Sequence, residues 1–262
     1  VSTPYDFAGY PVNGDSPTSG FGSLVVSQGK LAWGDSGQTV TVGSHLHIGA
    51  RNANGPGEAV TGELEINGGA ASVSGNLYIG VANGDPVSAP APLHPRLTVN
   101  GGDTAVSGEL IMGWDNRTTT AAYIGTQQAQ NTQPELVLNG GVLRLGGGFY
   151  PSYHGGVSPT NRVTINGGEL SAKWVYFGAS WFGDNLVPAA TVLFEMNGGS
   201  LVLQEDFRTA RYGADSYFRF NGGVLRAWDI QKADGGGNSE VWLNGVVFQP
   251  VYGGQSTVYR TF

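Results

Sequence analysis

The chain has 262 residues, of which 44 are glycine, three are lysine and none is cysteine. Hydrophobic residues make up 40% and charged residues 13%, with a net charge of −7. This is ample material for a core, but too little positive charge for a phosphate-binding face, and no run approaches the ~20 apolar residues of a membrane-spanning helix. The lack of cysteine excludes a disulfide scaffold, a thiol nucleophile and a Cys-ligated metal.

Residues 1–22 hold Pro4, Pro11, Pro17 and several glycines. They are expected to form an N-terminal extension or cap that wraps rather than making a turn of its own. The chain begins at Val1, which predicts a mature or excised form. From residue 23 the pattern becomes periodic. Leu24/Val26, Leu31/Trp33 and Leu46/Ile48 alternate apolar and polar residues, the signature of half-buried strands, and read as one three-stranded unit.

A fixed tripeptide then recurs. Asn-Gly-Gly starts at Asn67, Asn100, Asn139, Asn166, Asn197 and Asn221, with a degenerate copy at Asn244-Gly245-Val246. The spacings are 33, 39, 27, 31, 24 and 23 residues, so a constant unit carries loops of varying length. Before each Asn lies an alternating pair, such as Leu64/Ile66, Leu97/Val99 and Phe218/Phe220. After it come pairs such as Leu143/Leu145 and Leu201/Leu203, and then Leu77/Ile79, Leu110/Met112 and Val175/Phe177. Three short strands per unit and a minimum repeat of 23 residues predict an all-β chain. It is a single right-handed parallel β-helix of about eight turns over residues 23–248, with Asn-Gly-Gly at the corners. Glycine takes the positive φ of a tight corner without strain, and stacked Asn amides can bond from turn to turn. Asn-Gly is also a hairpin signal; recurrence of one identical corner per unit favours the solenoid. Residues 249–262, with Val258-Tyr259 after Gly253-Gly254, read as a C-terminal cap or a cut continuation.

Units such as Leu64-Glu65-Ile66-Asn67-Gly68-Gly69 and Leu77-Tyr78-Ile79-Gly80 resemble the glycine-rich β-solenoid repeats of bacterial autotransporter passengers and related exported surface proteins. The resemblance spans residues 23 to about 248. It implies an architecture and a secreted or cell-surface location, not an activity, because such repeats carry adhesins, enzymes and plain stalks.

The insertions follow the third strand of each unit, so they are expected on one side of the rod, where solenoids bind ligands. They carry Trp114, Tyr153, Trp181 and Tyr212, while Tyr78 and Tyr176 take outward positions on the third strand. Aromatic faces beside Asp, Asn and Arg suit the C–H faces and hydroxyls of sugars. These six residues are therefore the candidate carbohydrate-binding set, and the partner is a polysaccharide or cell-surface glycan bound without catalysis. Ladder packing of the same rings is the competing reading.

Two alternatives stand beside this reading. The first is a polysaccharide lyase or glycoside hydrolase on a β-helix. Hydrolysis needs two carboxylates roughly 5–10 Å apart, and the candidates are Asp115, Asp184, Asp206 and Asp215, with Arg208 and Arg211 as basic partners. The pectinase signatures Asn-Thr-Asp, Gly-His-Gly and Arg-Ile-Lys do not occur. The second is a structural surface stalk or adhesin. His45 and His47 share one side of a strand but lack a third ligand, so no metal site is expected. No cofactor is expected either, although Asn83-Gly84-Asp85 and Asp184-Asn185 offer the oxygen ligands that calcium takes.

Overall fold

A computed structural model describes residues 5–6, 18–21, 24–26, 29–34, 37–51, 61–82, 94–115, 133–153, 160–177, 191–209, 215–232 and 239–250. These residues form three parallel sheets of nine, nine and eight strands, with no helix among them. Each sheet takes one strand from every turn, and neighbouring strands in a sheet come from successive turns. The fold is a parallel β-helix.

The first-sheet strands include Lys30–Trp33, Glu63–Ile66, Arg96–Val99, Glu135–Leu138, Thr160–Ile165, Thr191–Met196, Ser216–Phe220 and Ser239–Leu243. The third sheet runs Leu24–Val26, Leu46–Arg51, Leu77–Ala82, Leu110–Asp115, Phe149–Ser152, Val175–Phe177, Phe207–Thr209 and Ile230–Lys232. Register is kept because every inward residue sits on its equivalent one turn away. Leu243 pairs with Phe220 as the next rung of the first sheet but is 44% exposed, so this expected inward position is not buried. The buried stack Ile66, Val99, Leu138, Ile165, Met196 and Phe220 is in register through the first sheet, as are Leu143, Leu170, Leu201 and Leu225 through the second. A slip by one residue would turn every one of these side chains to solvent. The core becomes aromatic toward the C-terminal turns. Phe177, Phe194, Phe207, Phe218 and Phe220 are fully buried, with the Phe218 ring 4.6 Å from Phe177 and 4.9 Å from Phe207.

Each Asn-Gly-Gly joins a first-sheet strand to a second-sheet strand. The second glycine is left-handed in all six copies, with φ between +70° and +89°. The Asn side chains form a continuous ladder. Each Nδ2 donates to the Oδ1 one turn below at 2.8–2.9 Å, from Asn221 through Asn197, Asn166, Asn139 and Asn100 to Asn67.

Three details differ from the sequence pattern. Leu24–Val26 belongs to the third sheet, since it pairs with Leu46–Arg51, while Leu31/Trp33 pairs with Leu64/Ile66 in the first. The earliest unit is therefore shifted by one strand, and its second-sheet strand is Thr39–Val42, an alternating Thr-Val segment that no Asn-Gly-Gly precedes. Secondly, strands occur before residue 23, because Tyr5–Asp6 pairs with Lys30–Trp33 and Thr18–Phe21 with Thr39–Val42. Thirdly, Trp114 and Asp115 lie in a strand rather than in a loop, paired with Val81 and Ala82. Gly49, Gly80 and Gly113 have φ near +70° and bend the third-sheet strand without ending it; in the sequence they read as strand ends.

Candidate functional site

The outward face of the third sheet carries the side chains that distinguish this rod from a bare scaffold. One column runs His47, Tyr78, Ile111 and Tyr150 in strict register, and further along Tyr176 pairs with Arg208 and Arg208 with Gln231. A second column comes from the residue just before each strand: His45, Asn76, Glu109, Trp174 and Asp206. Its backbone is anchored turn to turn, for example by Leu46 N–H on the Asn76 carbonyl, Leu77 N–H on that of Glu109 and Phe149 N–H on that of Trp174.

Polar atoms in these columns hold each other. The His45 Nδ1 accepts from the Asn76 N–H at 2.9 Å, and the Asn76 Oδ1 accepts from the Glu109 N–H at 3.0 Å. The Asn76 Nδ2 donates to the Tyr78 hydroxyl at 2.9 Å. The Trp174 indole N–H donates to the Tyr150 hydroxyl at 3.2 Å, and that hydroxyl also bonds to the Glu109 carboxylate. Trp174 has room because the residue beneath it is Gly148, where a Cβ would strike the indole.

The rings form a continuous group. His47 stacks on Tyr78 with centroids 4.8 Å apart, Tyr150 meets Tyr153 edge-on at 5.3 Å, and Trp174 stacks on Tyr176 at 5.6 Å. The Arg208 guanidinium lies 4.9 Å over the Tyr176 ring and bonds Asp206 at 2.7 and 3.2 Å through two nitrogens. Burial sets the proton affinities. It pushes the Glu109 carboxyl above the usual carboxylate range, against the opposing hydrogen bond from Tyr150. It raises the Tyr78 and Tyr153 phenols, lifts Tyr150 to about 12, and holds His47 below its ordinary value with help from nearby His45.

Of the six aromatic candidates from the sequence, this patch brings together Tyr78, Tyr153 and Tyr176. Tyr78 is 5% exposed and forms a small buried cluster with Ile111 and Tyr150, so it supports the face rather than presenting a ring. Tyr153, Trp174 and Tyr176 pack on that cluster and remain half-exposed. Trp114 and Asp115 lie at the end of strand Leu110–Asp115. Trp181, Asp184, Arg211 and Tyr212 lie outside the described residues, as do Asn83-Gly84-Asp85 and Asp184-Asn185. Asp206 and Arg208 sit together as an ion pair. His45 and His47 have ring centroids 6.1 Å apart, but one nitrogen of His45 is committed to Asn76 and the His47 ring to Tyr78. No group of three or more His, Asp or Glu able to hold a metal occurs among the described residues. No helix among them is long and apolar enough to cross a membrane.

Glu109, Tyr150 and Trp174 were not singled out from the sequence. The signal was their frame position: each lies within two residues of the first inward residue of a third-sheet strand, the place that Tyr78 and Asp206 hold in other turns.

A concavity of about 160 Å3 lies on the outer face of the first sheet, lined by Glu135, Arg162, Thr164, Leu193, Glu195, Tyr217 and Arg219. Ion pairs Arg96–Glu135 at 3.3 Å and Arg219–Glu195 at 3.2 Å occupy much of its charge.

Comparison with protein-family models, curated proteins and solved structures finds no significant match. The repeat pattern and the three stacked parallel sheets establish a β-solenoid architecture.

Proposed function

We propose that this chain is an extracellular bacterial β-solenoid that binds carbohydrate, without catalysis, on the outer face of its third sheet. The observation that carries this reading is the half-exposed Trp174–Tyr176 stack, set between Glu109 and the Arg208–Asp206 pair. Ring faces of this kind accept the C–H side of a pyranose, and adjacent carboxylate and guanidinium groups bond its hydroxyls. The low charge and the three lysines support a secreted or cell-surface setting.

The test is binding to a panel of plant, algal and microbial polysaccharides, with and without calcium. Trp174→Ala and Tyr176→Ala are each expected to weaken binding about tenfold, equivalent to about 1.4 kcal/mol. Strand pairing, read by hydrogen exchange, should be kept. Absence of binding to every polysaccharide would remove the reading and leave a structural stalk or adhesin.

One observation favours an enzyme as the second reading. Burial raises the proton affinity of Glu109, which suits a general acid, whereas Asp206 is held by Arg208. New reducing ends, or the absorbance of an unsaturated uronate, in the same panel would establish hydrolase or lyase chemistry in place of simple binding.

A further inference from the structure

The six Asn-Gly-Gly turns and the seventh, Asn244-Gly245-Val246, have the same length between paired strands: Phe220 pairs with Leu243 before the turn and Val224 with Val247 after it. Their backbones nevertheless differ. In the six the left-handed residue is the third of the tripeptide, as at Gly199 with φ +70° and Gly223 with φ +89°; in the seventh it is the second, Gly245, with φ +76°. The cause is Val246. A β-branched residue cannot adopt positive φ without steric strain, and Val246 packs against the core. The left-handed position therefore moves one residue earlier.

The shift uncouples Asn244 from the ladder. Its N–H still donates to the Phe220 carbonyl at 2.6 Å. Its side chain, however, makes no hydrogen bond among the described residues, whereas Asn221 Nδ2 donates to Asn197 at 2.8 Å. The next amide changes too. The N–H groups of Gly140, Gly167, Gly198 and Gly222 donate to carbonyls of the turn below at 3.3–3.4 Å, and that of Gly245 does not. A Cβ at those four positions would lie 2.6–2.9 Å from the Asn carbonyl oxygen below, but 3.5 Å away at Gly245. The seventh turn thus stands off from the stack.

We infer that Asn244 is a site of spontaneous deamidation, and that the ladder protects the Asn-Gly bonds within it. In the reaction the Gly245 nitrogen bonds to Cγ of Asn244 and gives up its proton. The Cγ–Nδ2 bond breaks, and ammonia leaves with that proton. Water then opens the five-membered imide at either carbonyl, leaving Asp or isoaspartate. The attack needs a free Gly nitrogen and an Asn amide able to rotate onto it. From Asn100 to Asn197 the amide is held along the stack by bonds on both sides, and at Asn221 by the bond to Asn197; from Gly140 to Gly222 the nitrogen is tethered as well. At Asn244 neither restraint is present, and the residue is exposed. The product adds a negative charge above Asn221 and, as isoaspartate, lengthens the backbone of the seventh turn.

The experiment is peptide mapping of the intact folded chain during incubation at mildly alkaline pH, with a sample unfolded in urea as reference. Asn13, Asn54 and Asn83 also precede glycine but lie outside the described residues and take no part in the comparison. Native Asn244 is expected to convert at least about tenfold faster than Asn139 and Asn166, because a rung must open locally before it can react. In urea the rates should converge. Native rates within about twofold of each other, or earlier conversion of a central rung, would overturn the inference. Val246→Gly separates turn shape from simple fraying of the seventh turn. It restores glycine at the third position and is expected to slow Asn244 toward the Asn221 rate. An unchanged rate, with Ser239–Leu243 still protected from hydrogen exchange, would refute the role given to Val246.

Discussion

Two glycines with the same backbone conformation should respond very differently to a single added methyl group. Gly29 and Gly141 have φ of +75° and +71°. A Cβ on Gly29 would meet nothing within 4 Å. On Gly141 it would lie 2.5 Å from the Gly101 carbonyl carbon, 2.6 Å from the Gly102 oxygen and 2.8 Å from the Gly101 Cα. A left-handed alanine costs ~1–2 kcal/mol, partly offset by ~0.4–1 kcal/mol from a less flexible unfolded chain. Gly29→Ala should therefore cost about 1 kcal/mol. At Gly141 every obstructing atom is backbone of the turn below, so no rotamer change relieves the clash. The turns must separate, an overpacking penalty of ~1–3 kcal/mol more. Because a solenoid can lose end turns separately, urea titration followed by tryptophan fluorescence should be paired with native-state hydrogen exchange. Gly141→Ala is expected to lose about 2 kcal/mol more than Gly29→Ala, with lost protection centred on Glu135–Leu138 and Val142–Leu145. Equal losses at the two sites would show that φ alone, and not the stacking distance, selects glycine in these turns.

Phe218→Ala should cost ~3–5 kcal/mol and Phe218→Leu less than ~1.5 kcal/mol, because the fully buried ring closes the aromatic core against Phe177 and Phe207; denaturant unfolding measures both. Glu109→Gln should stabilise the protein at neutral pH and have no such effect near pH 3. Burial raises the folded-state proton affinity of Glu109, so on a rising pH scale the unfolded chain releases this proton first. The penalty is absent below the ordinary carboxylate value, grows above it, and is complete beyond the folded-state value. Parallel melting curves of wild type and Glu109→Gln across that range would contradict the assignment.

The fold was legible because inward residues repeat in strict phase and the Asn-Gly-Gly turn marks each unit, so stacks such as Leu143, Leu170, Leu201 and Leu225 could be written from the sequence. Errors fell where the phase mark was weak. Thr39–Val42 precedes the first Asn-Gly-Gly and so carries no mark of its phase, which displaces the earliest unit by a strand in the sequence pattern. Gly113 reads as the end of a strand that it only bends, so the sequence pattern places Trp114 and Asp115 in a loop. The site was less legible, because outward residues need not repeat in kind. Tyr78 and Tyr176 were visible as outward aromatics, but Tyr150 follows Gly146-Gly147-Gly148 and precedes Pro151, a context that reads as a break. Glu109 and Trp174 precede their strands and show no alternation. Their association depends on stacking across turns that are 27 to 39 residues apart in that part of the chain.

The contrast between two outer faces bears on where function resides. Equivalent residues in adjacent turns lie ~4.8 Å apart, so like charges in one column repel. The first sheet meets this by alternation: Lys30, Glu63, Arg96, Glu135 and Arg162 occupy successive rungs. Such a column is balanced internally and needs no partner. The third sheet meets it with His47, Tyr78, Ile111 and Tyr150, rings and an aliphatic that need no balancing charge. Glu109 is then out of place. It sets a carboxylate against tyrosines at a cost to stability above the carboxylate range, where glutamine would keep an acceptor for the Tyr150 hydroxyl and avoid that cost. Residues kept against local stability are those whose purpose is to be sought in a ligand. On the proposed reading, Glu109 bonds a sugar hydroxyl beside the Trp174–Tyr176 stack, so Glu109→Gln should weaken polysaccharide binding at the same pH at which it strengthens the fold. A variant that gains stability and binds as before would separate Glu109 from the ligand and confine the binding face to the Tyr176 side of the patch.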